Sequence, residues 1–205
     1  MNDTIKRTLE NLKKHNIDAR FAANKEEALK EALSLIPRGA RVGMGGSQTV
    51  REIGLLDALR KGEYKLVDQY EEGISKEENM RRRVEGMRCE FFISGTNAVT
   101  EDGALVNIDG MGNRTSAITF GPSRVIIVVG RNKVVRDVEA GLERAQKYVA
   151  PRNAKRFGVG TPCAESGECS DCSHPERICN IYSIVKRQWT PGRITVIIVD
   201  QDLGM

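Results

Sequence analysis

The residues with types and spacing suited to chemistry fall in three places, and the most specific is a run of cysteines. Cys163, Cys169, Cys172 and Cys179 are spaced C-x5-C-x2-C-x6-C. A C-x2-C pair lets two thiolates grip one metal from a tight turn, and the flanking cysteines complete four-coordination. Pro162, Gly167, Asp171 and Pro175 keep the segment in loop conformations. Four thiolates suit tetrahedral zinc or a 4Fe–4S cluster; the spacing matches neither the bacterial ferredoxin run nor a zinc ribbon, so the two stay open. Glu165, Glu168, Asp171 and Glu176 would lower the potential of such a cluster. His174 reads as an exposed loop residue, and Cys89, set apart, as a small buried hydrophobe.

The second place is Gly43-Met44-Gly45-Gly46-Ser47-Gln48-Thr49. Glycines let a backbone turn sharply and approach a ligand, and Ser47 offers a hydroxyl. The stretch is neither a P-loop, lacking Gly-Lys-Ser/Thr, nor a G-x-G-x-x-G dinucleotide fingerprint. Its competing reading is a strand-to-helix turn with Ser47 as N-cap. The third place is Ser94-Gly95-Thr96-Asn97 followed by Asn107-Ile108-Asp109-Gly110-Met111-Gly112-Asn113-Arg114. Thr96, Asn97, Asn107 and Asn113 supply hydroxyl and amide groups for orienting a ligand, and Arg114 suits bidentate capture of an anion. Glu101 and Asp109 are the carboxylates available as general base or nucleophile. Asp102-Gly103 reads as a turn, and Asn113 as a cap for the next helix.

These loops need a scaffold, and hydropathy patterning outlines it. Ile5, Leu9 and Leu12 recur at helical spacing over residues 2–15. Asn24 with Glu27 and Ser75 with Glu78 open helices as capping boxes. Further helices are expected over 49–60 and 134–148. Residues 18–22, 41–44, 64–67, 90–94, 124–129 and 194–199 read as strands, and 90–94 and 124–129 are apolar enough to be buried on both faces. Glu101-Asp102-Gly103 between 98–100 and 104–108 signals a hairpin. Strands alternating with helices predict a three-layer, Rossmann-like α/β fold with a mostly parallel sheet and helices on both faces. Residues 1–205 are expected to form a single domain, with 151–180 a Cys-rich embellishment that Trp189 and Tyr182 pack against it. Arg81-Arg82-Arg83 fans around its helix and reads as a solvated face.

The stretches Gly43–Ser47, Ser94–Gly103 and Leu105–Arg114 resemble the LUD-domain, or lactate-utilization, family. The resemblance spans most of residues 1–200. It implies a fold similar to the NagB/RpiA/CoA-transferase group and to formyltetrahydrofolate cyclo-ligase. It also implies a link to oxidation of lactate to pyruvate within an iron–sulfur enzyme system, and it tilts the cysteine site from zinc toward a 4Fe–4S cluster. Individual catalytic residues do not carry over from it.

Bulk properties exclude other classes. The 205 residues are 40% hydrophobic and 29% charged, an ordinary globular balance. A net charge of +4 makes no case for nucleic acid. No run approaches the roughly 18 apolar residues of a membrane helix, and Met1–Lys14 lacks a secretory signal pattern, so a cytoplasmic protein is expected. The expected function is binding or catalysis on a small anionic metabolite such as a 2-hydroxy acid. Gly45, Gly46 and Ser47 would hold the anion, and redox chemistry would need iron–sulfur partner proteins. Two alternatives remain: an accessory protein with structural zinc, or an isomerase or acyl-transfer enzyme. Self-association is open.

Overall fold

The computed structural model describes all 205 residues. The ten strands are β1 (Asp18–Ala22), β2 (Arg41–Met44), β3 (Lys65–Val67), β4 (Phe91–Ser94), β5 (Ala98–Thr100), β6 (Leu105–Asp109), β7 (Arg124–Gly130), β8 (Val134–Val135), β9 (Ile181–Val185) and β10 (Ile194–Val199). Six of them form an all-parallel sheet in the order β1-β10-β7-β4-β2-β3. This is the α/β fold that the alternating pattern predicts.

Both faces of the sheet are covered, as the apolar runs require. In β7, Ile126 and Val128 join one core cluster while Val125, Ile127 and Val129 join the other; β10 divides in the same way. Successive side chains of a strand point to opposite faces, so two cores from one strand mean two packed layers. Helices Lys25–Ser34, Gln48–Glu52 and Leu55–Lys61 supply one layer. The helix Asp3–Lys14 supplies part of the other, burying Ile5, Leu9 and Leu12.

Capping sets the helix starts. Asn24 Oδ1 accepts from the Glu27 N–H at 2.9 Å while Glu27 Oε2 accepts from the Ala23 N–H, and Ser75 Oγ accepts from Glu78 N–H at 3.1 Å. The helix expected over 49–60 is two helices, because Gly54 sits at φ 76° between them.

The remaining strands form a second sheet, β8-β5-β6-β9, which the sequence pattern does not announce. Its heart is the expected hairpin, with β5 and β6 antiparallel across the Asp102-Gly103 turn and Gly103 at φ 89°. Val99, Leu105 and Val185 pack this sheet onto the core beside Asp3–Lys14, so one covering layer is partly sheet. β9 pairs antiparallel with β6 at the edge, and its exposed–buried mixture hides it from pattern reading.

The helix expected to end near 148 continues to Phe157. It is α-helical over Val138–Glu143 and Ala150–Phe157 and π-helical over Arg144–Val149. Pro151 cannot donate a backbone hydrogen bond and crowds the preceding turn; the wide π turn just before it accommodates both, so the proline does not stop the helix. No helix is long and apolar enough to cross a membrane.

Candidate functional site

Loops from both sheets meet around a cavity of about 280 Å³. β2 and β4 lie side by side, yet β2 leads outward to the edge strand β3 while β4 leads on toward β7. This is the point where strand order reverses, and open α/β sheets bind ligands beyond the carboxyl ends of strands there. Gly46 and Ser47 follow β2, Tyr70 follows β3, Gly95, Thr96 and Asn97 follow β4, and Lys133 follows β7. Asp109 to Arg114 arrive from β6, and Asn153 and Arg156 from Ala150–Phe157.

The glycines permit this crowding. A Cβ at Gly45 would stand 2.7 Å from Ser94 Oγ, and one at Gly95 would stand 2.6 Å from Ser47 Oγ. Any larger residue would push the loops apart. Ser47 is the N-cap the alternative reading names, accepting from Val50 N–H at 3.2 Å, and it lines the cavity as well.

A buried ion pair locks the two polar stretches together. Arg114 lies 2.6 Å from Asp109 Oδ1 and donates through Nη2 to Asn97 Oδ1 and Ile108 O, each at 2.9 Å. The second oxygen of Asp109 accepts from Thr115 N–H at 2.9 Å at the start of helix Asn113–Thr119. Both groups thus face protein partners, and their geometry is that of a clamp. Asn97 Oδ1 also accepts from Ile108 N–H at 2.8 Å, and the Thr96 hydroxyl turns onto the carbonyls of Ala98 and Val106. Asn113 does not cap its helix, since Gly112 holds that position; its Oδ1 instead accepts from Arg83 Nη1 at 3.4 Å at the cavity wall.

Four cavity residues carry the electrostatics and were not singled out by spacing: Arg83, Arg156, Lys133 and Tyr70. Arg83 is the member of the basic triplet that turns inward; Arg81 pairs with Glu78 and Glu85, and Arg82 with Glu71 and Glu78. Arg83 donates to Asn79 Oδ1 and Arg156 to Asn153 Oδ1, and neither has a carboxylate partner. Burial pushes the Arg156 guanidinium down. Burial likewise pushes the Tyr70 hydroxyl up, against the pull of Arg83, Arg51 and Arg156. Lys133 is 5% exposed and donates to Thr49 Oγ1 at 2.7 Å. Burial, with Arg144 and Arg114 nearby, pushes its ammonium down to about 7, opposed by Glu52.

Three expected residues do not line the cavity, and the first, Gly45, packs against Ser94 and Arg114 just short of it. Glu101 sits on the hairpin turn against the first helix, where its carboxylate meets Arg7 at 2.5 Å; the structure does not bring it to the cavity. Asn107 is fully buried with neither side-chain polar atom hydrogen-bonded, and it does not line the cavity.

The cysteine segment borders this site. Asn180 donates from its backbone to Asp109 O at 2.9 Å and from its side chain to Gly110 O at 3.2 Å, and Ile178 reaches the cavity wall. Arg177 organises the loop, donating to Cys172 O at 2.6 Å, Cys179 O at 3.1 Å and Asp171 Oδ1 at 2.7 Å. Cys163 and Cys179 are buried, Cys169 and Cys172 half-buried, and all are free thiols. The Cys169 sulfur accepts from Asp171 N–H at 3.5 Å. Burial raises the Cys179 thiol, countered by Arg177, with Cys169 and Cys163 adding to the rise. No three His, Cys, Asp or Glu side chains are gathered as a metal-holding group. Trp189 is 97% exposed and Tyr182 43%, so neither packs the loop down as expected. Cys89 is buried as expected, its thiol pushed up to about 11 mainly by burial.

The sequence profile of the LUD domain family matches residues 5–199. No curated protein matches the chain. Among solved structures, a DUF162 family protein from Deinococcus radiodurans is similar over 96% of both chains, at 16% identity and a TM-score of 0.51. The delta subunit of eIF2B from Chaetomium thermophilum is similar over 69% of this chain and 56% of its own, at 17% identity and a TM-score of 0.37. Ribose 5-phosphate isomerase A from Methanocaldococcus jannaschii is similar over 65% of this chain and 66% of its own, at 18% identity and a TM-score of 0.39.

Burying Lys133 without a carboxylate leaves a pH signature. Its depressed value means the unfolded chain binds the extra proton between about 7 and its ordinary 10.5, so the cost of burial is full below about 7 and fades above. In urea unfolding, Lys133→Met is therefore expected to be more stable than wild type below about pH 7. The gain should be on the order of a few kcal/mol and shrink as pH rises toward the ordinary lysine range. A pH-independent difference would contradict it.

Proposed function

The chain belongs to the LUD domain family, and from that premise we propose that its cavity binds a small metabolite carrying a carboxylate, with a 2-hydroxy acid such as lactate as the family-level candidate. The observation that carries this reading is the charge balance of the cavity. Arg83, Arg156 and Lys133 line it without carboxylate partners, and the one acidic residue there, Asp109, is already paired with Arg114. Cations gathered in a partly desolvated cleft attract and hold an anion far more strongly than they would in water. Ser47 and the side-chain nitrogen of Asn97 add neutral hydrogen-bonding groups for a hydroxyl.

Oxidation of a 2-hydroxy acid to a 2-oxo acid releases two electrons and two protons. The chain has no flavin or nicotinamide fingerprint, so the electrons would leave to an iron–sulfur redox partner. The chemistry of the cysteine segment fits a four-thiolate centre: Cys163 lies on the short helix Pro162–Ser166 rather than in the expected loop, the other three thiols follow in the loop beyond it, Arg177 gathers carbonyls there, and an N–H is directed at the Cys169 sulfur. Cys163, Cys169, Cys172 and Cys179 would hold a 4Fe–4S cluster, which supplies one-electron transfer when bound. The thiols are not gathered beforehand. Loading the site would therefore draw these residues together around the centre, as in small metal sites where binding and folding are coupled. Asn180 would convey that movement to Asp109 and Gly110 at the cavity wall.

Two measurements test this. In a thermal-shift assay, lactate and glycolate are expected to stabilise the wild-type protein, with affinity reduced about tenfold or more in Arg156→Gln and Arg83→Gln. Equal shifts in wild type and both variants would remove the anion site. Anaerobic iron and sulfide analysis is expected to give about four of each per chain, lost when Cys169 and Cys172 are both changed to Ser. One tightly held zinc without sulfide would instead favour an accessory protein with a structural metal.

A further inference from the structure

We propose that Lys133 is a covalent catalytic residue: its Nζ condenses with the carbonyl carbon of a 2-oxo acid seated in the cavity and forms an imine. The proposal rests on the anion-binding reading above and narrows the ligand to one with a carbonyl beside its carboxylate.

Lys133 ends the short turn of helix Arg131–Lys133 that follows β7, and it is the one lysine lining the cavity. A buried lysine ordinarily has a carboxylate close by, because an unpaired ammonium is costly away from water. Here the nearest polar partner is the Thr49 hydroxyl, and Thr49 directs its own hydrogen to Leu203 O at 3.3 Å, leaving its oxygen to accept from Nζ. One N–H is thereby committed to Thr49, which anchors the end of the side chain. The backbone of Gly204 lies so close that a Cβ there would stand 2.9 Å from Nζ, which limits its motion on that side.

The charged groups acting on Lys133 favour the neutral amine. Arg144 and Arg114 are like charges, and Glu52, the opposing carboxylate, accepts from Gly204 N–H at 2.7 Å rather than pairing with the ammonium. The free base is the nucleophile, and the depressed value of about 7 keeps a substantial share of it present at neutral pH. A lysine serving only to hold an anion would be better kept fully charged, and a guanidinium would serve that purpose without titrating.

The chemistry closes on itself. The amine lone pair attacks the carbonyl carbon, giving a carbinolamine once a proton passes from nitrogen to oxygen. Loss of water then leaves the imine. No electrons are transferred, and water regenerates the lysine and the oxo acid. The unpaired Arg83 and Arg156 supply the carboxylate anchor. A cavity of about 280 Å³ admits an acid of a few carbons.

The test is reductive trapping on the full chain. Wild-type protein is incubated with pyruvate and sodium cyanoborohydride, then examined by intact mass and peptide mapping. The expected result is one adduct per chain on the peptide containing Lys133, with the mass of the oxo acid less one oxygen. Yield should rise as pH passes upward through about 7. Lactate, which has no carbonyl, should give no adduct. Lys133→Arg and Lys133→Met should lose the adduct while circular dichroism and cooperative melting show both folded. Absence of an adduct in wild type, or an equal adduct spread over other lysines in the variants, would overturn the covalent step. Failure of that step alone is recognised by a thermal shift with pyruvate that Lys133→Arg retains. Failure of the anion reading is recognised by no shift with either acid.

Discussion

One buried ion pair, Arg114 with Asp109, holds the candidate site in shape. Each side chain is about one-tenth exposed, and their contact ties the segment after β6 to the loop after β4 through Asn97. The remaining oxygen of Asp109 starts a helix at Thr115, and its carbonyl receives the backbone of Asn180. Three stretches distant in sequence thus converge on two residues. Replacing a buried pair by apolar residues often costs little, whereas removing one partner leaves a stranded charge and costs about 3–5 kcal/mol. The pair is therefore better understood as fixing geometry than as adding stability.

Because Asp109 is committed to Arg114, no other acidic side chain lines the cavity to balance its cations. Arg83, Arg156 and Lys133 remain unneutralised, Arg51 sits over the Tyr70 ring at 4.9 Å, and Arg144 donates to Asn97 O at 2.8 Å. An excess of unpaired cations around one cleft opposes folding, and proteins keep such arrangements where a ligand of opposite sign completes them. The same clamp brings the cysteine loop to the cavity wall through Asn180 and Ile178. A change in that loop would be felt where the anion binds, and the reverse also holds.

Much of this was legible in the sequence, for physical reasons that differ by element. The strands β4 and β7 are apolar on both faces, so they announced a covered parallel sheet. Gly45, Gly95 and the Asp109–Arg114 stretch stood out because close packing of loops demands unusual residues. Glu101 was misplaced because a carboxylate beside an Asp-Gly turn looks the same in sequence whether it faces a cavity or a neighbouring helix. Arg83 sits in a short basic run that pattern reading assigns to solvent, and Lys133 carries no motif at all; only the tertiary fold turns each inward. β9 and the π turn before Pro151 depend on partners far along the chain, so no local signal marks them. The exposure of Trp189 likewise follows from loop placement rather than from composition.

A double-mutant cycle on Asp109→Asn and Arg114→Met, read in both urea unfolding and lactate binding, tests most directly whether this pair defines the site. Each single change is expected to cost about 3 kcal/mol, with the double mutant close to one single rather than to their sum, a coupling of about 3 kcal/mol. Anion binding should be lost in all three. Additive losses in stability, together with lactate affinity unchanged from wild type, would contradict the clamp and the cavity built on it.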